Sequence, residues 1–482
     1  MKSLLFLSLF HNAYAFDGAK TTPSTSTENI TETVPLPRFL HSTLDNGMKI
    51  SIYSDVSHPV VATQIWVNVG SAHEANNEKG FAHLFEHLMF GDTENHDKKD
   101  YNALHIRAGG SENAYTSFDN TVYISEIPAQ AHKELLELEA DRFEHLILNE
   151  DALNNEKKIV TEELRLRAEN NPQSRLVMST LSALFGEHPY ASFPAGTRED
   201  INAADLELCK KFYDGYYSPQ NLHLVVVGPV DAEATMQHAS TLFGSLSNSE
   251  DSLKPPSVPK LNEWDFPEKI ALSDDIPPIK IAARIYILPQ ANHEDYWALQ
   301  TLSQMISGSE TDLFREELVT KRGKAIEAIS GSINDLSAGS VLFFGSISLP
   351  TRFKGKAFKL IDQSMESLDE RSWMTEANLK SAKRALLMTE LEQRWYPEEI
   401  ASQIGWYADR TENPEQGITG ASELISAVDL AAVQRVWEEY VVNAQPTELF
   451  IKKGKPQKMA QEIETGLKPS EGTSSSTLEL KQ

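Results

Sequence analysis

One short stretch of the chain has the residue types and the spacing to do chemistry: His83-Leu84-Phe85-Glu86-His87. On a helix, histidines four residues apart lie one above the other on a single face. Two imidazoles so placed can converge on one tetrahedral metal ion. Glu86 falls at the edge of the same face, where a carboxylate can orient and deprotonate a metal-bound water. Ala82, Leu84, Phe85, Leu88, Met89 and Phe90 are apolar and would embed the helix in a core, keeping the site dry on its protein side. Isolated histidines are usually structural. With 14 His in 482 residues, however, a chance match to this pattern arises on the order of a few hundredths of a time per chain, so the metal reading starts ahead.

A zinc site built on two histidines needs a third protein ligand and an open position. The best source is 155–164, inside a helical pattern running from about 150 to 170 without Pro or Gly. Glu156 and Glu163 are seven residues apart and share a face over two turns. One can bind the metal while the other orients a ligand histidine. Glu162 is an adjacent rival, and spacing alone leaves the choice open. His73, His96, His105 and His188 make no such pair with one another. His105 reads as a helix-surface residue, and His188, before Pro189, as part of a turn.

The pattern His83-x-x-Glu86-His87, followed 76 positions after the second histidine by Glu163, resembles the pitrilysin/insulinase/mitochondrial-processing-peptidase family of inverted-motif zinc peptidases. Gly109-Gly110-Ser111-Glu112-Asn113-Ala114-Tyr115-Thr116 is similar to that family's glycine-then-Asn-Ala segment. His188-Pro189-Tyr190, Gly196-Thr197-x-x-Asp200-Ile201 and Tyr216-Tyr217-Ser218-Pro219-Gln220-Asn221-Leu222 fit as well. The resemblance spans about 40–455. It implies an α+β fold of two homologous domains, each a mixed β-sheet packed with helices, together forming half of a clam-shell chamber. It also implies one zinc per chain on His83, His87 and Glu163, with Glu86 as general base and Glu156 supporting a ligand. Substrate would lie on an edge strand at Ser111, Asn113, Ala114 and Tyr115. The activity implied is a zinc metalloendopeptidase cleaving peptides or unfolded polypeptide segments. The reading from another class is a metal-free scaffold or peptide-binding homologue; such members lose the histidines or the glutamate, and this chain keeps them.

Composition bounds the rest. With 44 Lys+Arg against 70 Asp+Glu the formal charge is −26, which argues against a nucleic-acid surface. The single cysteine, Cys209, excludes an intrachain disulfide and a cysteine zinc site, and beside Phe212 it reads as core. Lys2, the apolar run 4–10 and Ala13-Tyr14-Ala15 read as a secretory signal at 1–15, too short to span a membrane. No arginine precedes Arg38, against a mitochondrial presequence, so the expectation is an exported protein, periplasmic or secreted. A flexible lead at 16–37 would be followed by a zinc-binding domain at 38–247. A proline-rich linker at 248–267, a second homologous domain without the metal motif at 268–454 and a disordered tail at 455–482 complete the division.

The elements follow from periodicity. Apolar runs at 48–53 and 60–69 around a polar turn predict a hairpin, 98–108 and 129–146 predict helices, and 112–127 reads as strand. A repeat links the halves: Asp205-Leu206, Cys209, Phe212 and Tyr216 recur as Asp429-Leu430, Val433, Val436 and Tyr440, each copy followed by an apolar strand. In the second half the chain departs from the family. Where members carry an Arg and, seven residues on, a Tyr that reach substrate, it has Val319 and Ile326. The resemblance therefore implies a heterodimer with a homologous non-catalytic subunit supplying that pair; the rival is a self-sufficient homodimer. No nucleic acid and no membrane span are expected.

Overall fold

In the computed structural model the described residues are 37–308, 312–334, 336–349 and 357–455. The expected signal segment, the lead up to residue 36 and the tail from 456 lie outside them. The first half of the chain forms, in order, β1 (Arg38–Thr43), β2 (Lys49–Ser54), β3 (Val61–Val67), α1 (Phe81–Leu88), α2 (Lys98–Ala108), β4 (Ser111–Thr116), β5 (Thr121–Ile127), α3 (Ala129–Glu144) and α4 (Glu150–Glu163). It continues with α5 (Pro172–Phe185), α6 (Arg198–Ala203), α7 (Leu206–Tyr216), β6 (Leu222–Gly228) and α8 (Ala232–Phe243). The strands make one mixed sheet in the order β1-β2-β6-β3-β5-β4, with β2 and β6 parallel and every other pair antiparallel.

Two strand expectations need correction. The runs at 48–53 and 60–69 do not form a hairpin, because β6 lies between them. All seven residues of β6 are buried, and such a strand needs a neighbour on each edge. β2 instead pairs with β1 through a turn ending in Asn46-Gly47, a dipeptide that favours hairpins, with Gly47 at φ 91°. The single strand read at 112–127 is two, β4 and β5. They turn at Ser117, whose Oγ accepts hydrogen bonds from Asp119 N (3.1 Å) and Asn120 N (2.9 Å).

The second half repeats this plan. It comprises β7 (Lys269–Asp274), β8 (Lys280–Leu288), α9 (Tyr296–Ser307), β9 (Glu327–Ile333), β10 (Ser340–Ser348), α10 (Ala357–Asp369), α11 (Glu376–Glu392), α12 (Pro397–Thr411), α13 (Ser422–Ala427), α14 (Leu430–Trp437) and β11 (Thr447–Lys453). The sheet order β7-β11-β8-β10-β9, with β7 and β11 parallel, matches the first sheet strand for strand without β1. The repeat reaches the caps. Asp205 Oδ1 accepts from Leu208 N (2.8 Å) at the start of α7, and Asp429 Oδ1 from Ala432 N (2.7 Å) at the start of α14. Lys157 Nζ donates to the carbonyls of Asn202 and Ala204 that end α6; Lys383 Nζ does the same for Ser426 and Val428 at the end of α13.

The two halves exchange helices. α5, started by Pro172, lies on the second sheet, packing Leu184 and Phe185 with Ile270, Ile285, Val341 and Leu449. α12, started by Pro397, lies on the first sheet, packing Ile400 and Ile404 with Trp66, Val122 and Val225. Gln64 Nε2 on β3 donates to Glu398 O (3.0 Å) and Ser402 Oγ (2.9 Å) across this seam. No helix among the described residues is long and apolar enough to cross a membrane.

The seam generates a sign test. A Cβ on Gly405 of α12 would come within 2.1 Å of the Trp66 ring, which is 4% exposed and held by its own Nε1 bond to Gln64. Gly→Ala normally favours a helix by about 1 kcal/mol, whereas overpacking costs about 1–3 kcal/mol. The clash should win, so Gly405→Ala should lower the urea midpoint. An unchanged or raised midpoint would show that α12 does not press on Trp66.

Candidate active site

Helix α1 presents the metal-type residues, and its start is built by backbone chemistry. Gly80 sits at φ 84° and lies against Gly196, where a Cβ would come 2.6 Å from Gly80 Cα; this explains the glycine of the Gly196-Thr197 motif. The first N–H groups of a helix lack partners within it. Here the buried carboxylate of Glu74 accepts from Gly80 N and Ala82 N, both at 2.9 Å. Burial pushes the Glu74 carboxyl up to about 8 despite those bonds. Phe81, Ala82, Leu84, Phe85 and Leu88 fill the core. Further along, Tyr123 on β5 donates to Phe85 O at 3.1 Å and meets the Tyr217 hydroxyl at 3.0 Å. His83 and His87 are left on the remaining face, their rings 5.0 Å apart and nearly perpendicular.

Helix α4 lies alongside and brings the carboxylates. Its start is capped by Asn149, which accepts from Ala152 N. At its far end the expected helix does not run on regularly to 170: after Glu163 the chain widens into a π-helical turn, Leu164–Glu169. Such turns recur at functional positions. Glu163 Oε2 stands 3.3 Å from His87 Nε2 and 3.9 Å from His83 Nε2. Its other oxygen, Oε1, accepts from Arg167 Nη1 at 2.5 Å. Glu156 Oε2 lies 3.7 Å from His87 Nδ1, on the far side of that ring. Glu162 points away and pairs with Arg165.

His83, His87 and Glu163 each offer one atom, and these lie within 4.8 Å of one another, the one such group of three among the described residues. Tetrahedral zinc with bonds of about 2.0–2.2 Å needs ligand atoms about 3.3–3.6 Å apart. The separations of 3.3 and 3.9 Å lie at and just above that spacing, and a two-histidine, one-carboxylate set suits zinc. The residues fit the ion.

The electrostatics describe a site holding a proton where a cation belongs. Burial would depress His87, but the carboxylates of Glu156 and Glu163 outweigh it and raise the imidazole to about 9. The same hydrogen bond to His87, opposed by burial, holds Glu163 at about 2. Burial, then the neighbouring His87 charge, pushes His83 down to about 4, so it is neutral and ready to ligate. Glu86 accepts from Thr116 Oγ1 at 2.6 Å, yet burial raises its carboxyl above the ordinary range.

Thr116 ends β4, the edge strand. Ser111, Asn113, Ala114 and Tyr115 all lie on β4, but their side chains divide. Ala114 packs into the core around α1, whereas Tyr115 packs with Trp66 and Ile404 on the opposite face, which Ser111 and Asn113 share by alternation. Among the rival histidines, His105 is not at the surface. It is 4% exposed, with Nδ1 3.1 Å from Tyr101 O, because the 98–108 helix lays that face against β4. His73 accepts from Gly70 N, His188 caps the turn at Pro189, and His96 pairs with Asp100. Reading the sequence missed Thr116, Arg167 and Glu74. Arg167 could have been found from its four-residue offset to Glu163; nothing in spacing marks the other two.

The fold and the site geometry are those of the inverted-motif zinc peptidase family, and comparison with known proteins agrees on the family. The family described as "Insulinase (Peptidase family M16)" matches residues 49–198, and "Peptidase M16 inactive domain" matches residues 203–386. The chain belongs to this family. "Zinc protease PqqE" of Helicobacter pylori is 29% identical over 422 residues, covering 86% of this chain and 93% of the relative. A crystal structure of a protease from Helicobacter pylori superposes with a TM-score of 0.76 at 27% identity, covering 87% of this chain and 100% of that one. The periplasmic protease PqqL of Escherichia coli gives 0.70 at 18% identity, covering 86% of this chain but 47% of that one.

A pH dependence follows. Zinc needs neutral imidazoles, and at pH 7 His87 carries a proton that binding must release. Zinc affinity should rise about tenfold per pH unit from 6 to 8 and level off near 9. Competition with a chelator of known affinity across this range measures it; a flat response would mean His87 is already neutral in the metal-free chain.

Proposed function

We propose that the chain is a zinc-dependent metalloendopeptidase acting on peptides or unfolded polypeptide segments, with one zinc held by His83, His87 and Glu163. The observation carrying this reading is the convergence of those three side chains beside Glu86, at the end of an edge strand. Zinc bound there supplies Lewis acidity, polarising a peptide carbonyl and lowering the pKa of a water to about 7.

The chain's own residues supply the rest. Glu86 accepts a proton from the attacking water and returns it to the leaving nitrogen, and its raised pKa suits a group that must both take and give. Thr116 fixes which carboxylate oxygen is free for that work. Glu156 faces Nδ1 of His87 and so directs Nε2 toward Glu163 and the metal position. An extended peptide adds to β4 as a further strand, main-chain hydrogen bonds giving affinity with little side-chain demand.

The active form we propose is a heterodimer. In the second half, Val319 sits in a π-helical turn (Glu316–Lys321) and Ile326 is 49% exposed; neither can offer the polar contact the family's Arg and Tyr make. A homologous subunit bearing that pair would restore it. The Escherichia coli neighbour, 47% of which is matched by this chain, has the length for two such units in one chain. Export to the periplasm or beyond belongs to the same proposal, resting on the leader pattern at 1–15.

Glu86→Gln should keep zinc while peptide hydrolysis falls about 10²- to 10⁴-fold. Loss of metal in this variant, or near-full activity, would overturn the role. The same peptide assay, run on the chain alone and with a two-domain homologue from the same source, tests assembly. Strong activity alone, unchanged by the homologue, contradicts the heterodimer.

A further inference from the structure

The edge strand carries one more group on the metal face. Across the β4–β5 ladder Thr116 lies opposite Thr121, Ala114 opposite Tyr123 and Glu112 opposite Ser125. Residues two apart on a strand share a face. Two of these three are tied to the site, Thr116 by its bond to Glu86 and Ala114 by packing into the core around α1. Glu112 therefore projects to the same side, and at a rise of about 3.3 Å per residue it stands about 13 Å along the strand from Thr116.

Glu112 is a carboxylate whose one ion-pair contact among the described residues is a histidine. Its side chain is 30% exposed, and it takes no hydrogen bond among the described residues; the nearest basic atom is Nδ1 of buried His105, at 3.8 Å. That nitrogen lies closer to Tyr101 O, at 3.1 Å, so its proton is directed to the backbone. Burial raises the Glu112 carboxyl against the pull of His105, Arg142 and Lys98. A solvent-facing carboxylate on an edge strand is placed to take a charge-assisted partner that arrives with the substrate.

We infer that Glu112 forms a subsite for a basic side chain, Lys or Arg, of a peptide lying along β4, about four residues from the cleaved bond. The inference rests on the peptidase reading above and deepens it. It carries a parity rule, because a peptide strand beside β4 turns every second side chain to the metal face. Odd offsets from the cut should be indifferent to charge.

The test is a series of unstructured, alanine-rich quenched peptides in which a single Arg is walked along the positions flanking the cut. Within the wild-type chain, Arg at one even offset, on one side of the cut, should raise kcat/KM about fivefold over the Ala peptide, less so at high salt. In Glu112→Gln that ratio should fall toward one, and in Glu112→Lys it should invert in favour of a Glu-bearing peptide. Hydrolysis with no positional charge preference, or a preference that survives Glu112→Gln, overturns the subsite while leaving the peptidase reading intact. Absence of hydrolysis is the failure of that reading instead, and fluorescence anisotropy of the labelled Arg and Ala peptides then decides the subsite. Tighter binding of the Arg peptide that Glu112→Gln abolishes supports it; equal binding overturns it.

Discussion

Helix α1 is eight residues long, and a helix that short does not persist in water on its own. Its stability comes from burial on nearly every side. Phe81, Leu84, Phe85 and Leu88 lie in the first core, Glu74 satisfies the opening N–H groups, and Tyr123 holds the Phe85 carbonyl. This burial is also what makes the site chemically unusual. The one face left over holds His83 and His87, and the apolar surroundings keep His83 neutral and raise Glu86. Packing and pKa tuning are the same event.

How much of this was legible in the sequence depends on distance along the chain. The His83–His87 pair and the Glu156–Glu163 pair are local helical spacings, and the structure brings both to one place. Choosing Glu163 over Glu162 needed the family resemblance, since spacing alone could not tell which side of α4 faces α1. The 48–53 and 60–69 hairpin was misread because the strand that separates them, β6, arrives more than 150 residues later, and no local pattern announces that insertion. His105 was misread for a related reason: periodicity assigns faces of one helix but not what covers them. Arg167 lay in plain view as a four-residue partner of Glu163, while Thr116 meets Glu86 only through tertiary contact.

Among its described residues the second half offers no metal ligand, yet it is built into the site's support. Its helix α12 covers the back of the first sheet, and the first half's α5 covers the second sheet in return. Near the edge strand the tie is polar. Asp119, in the turn after β4, accepts from Ser337 N (3.0 Å) and Ser337 Oγ (2.7 Å) of the second half and from the Tyr190 hydroxyl (2.9 Å) of the first. The second half, which lacks the His-x-x-Glu-His motif, thus helps to hold the strand on which the proposed substrate would lie.

The central claim is that His83, His87 and Glu163 hold one zinc, and elemental analysis of the purified chain tests it most directly. Wild type and Glu162→Gln should each carry about one zinc per chain, and Glu163→Gln should carry close to none while remaining folded by circular dichroism. Loss of metal from Glu162→Gln with retention in Glu163→Gln, or a folded wild-type chain that takes up no zinc, would contradict the account.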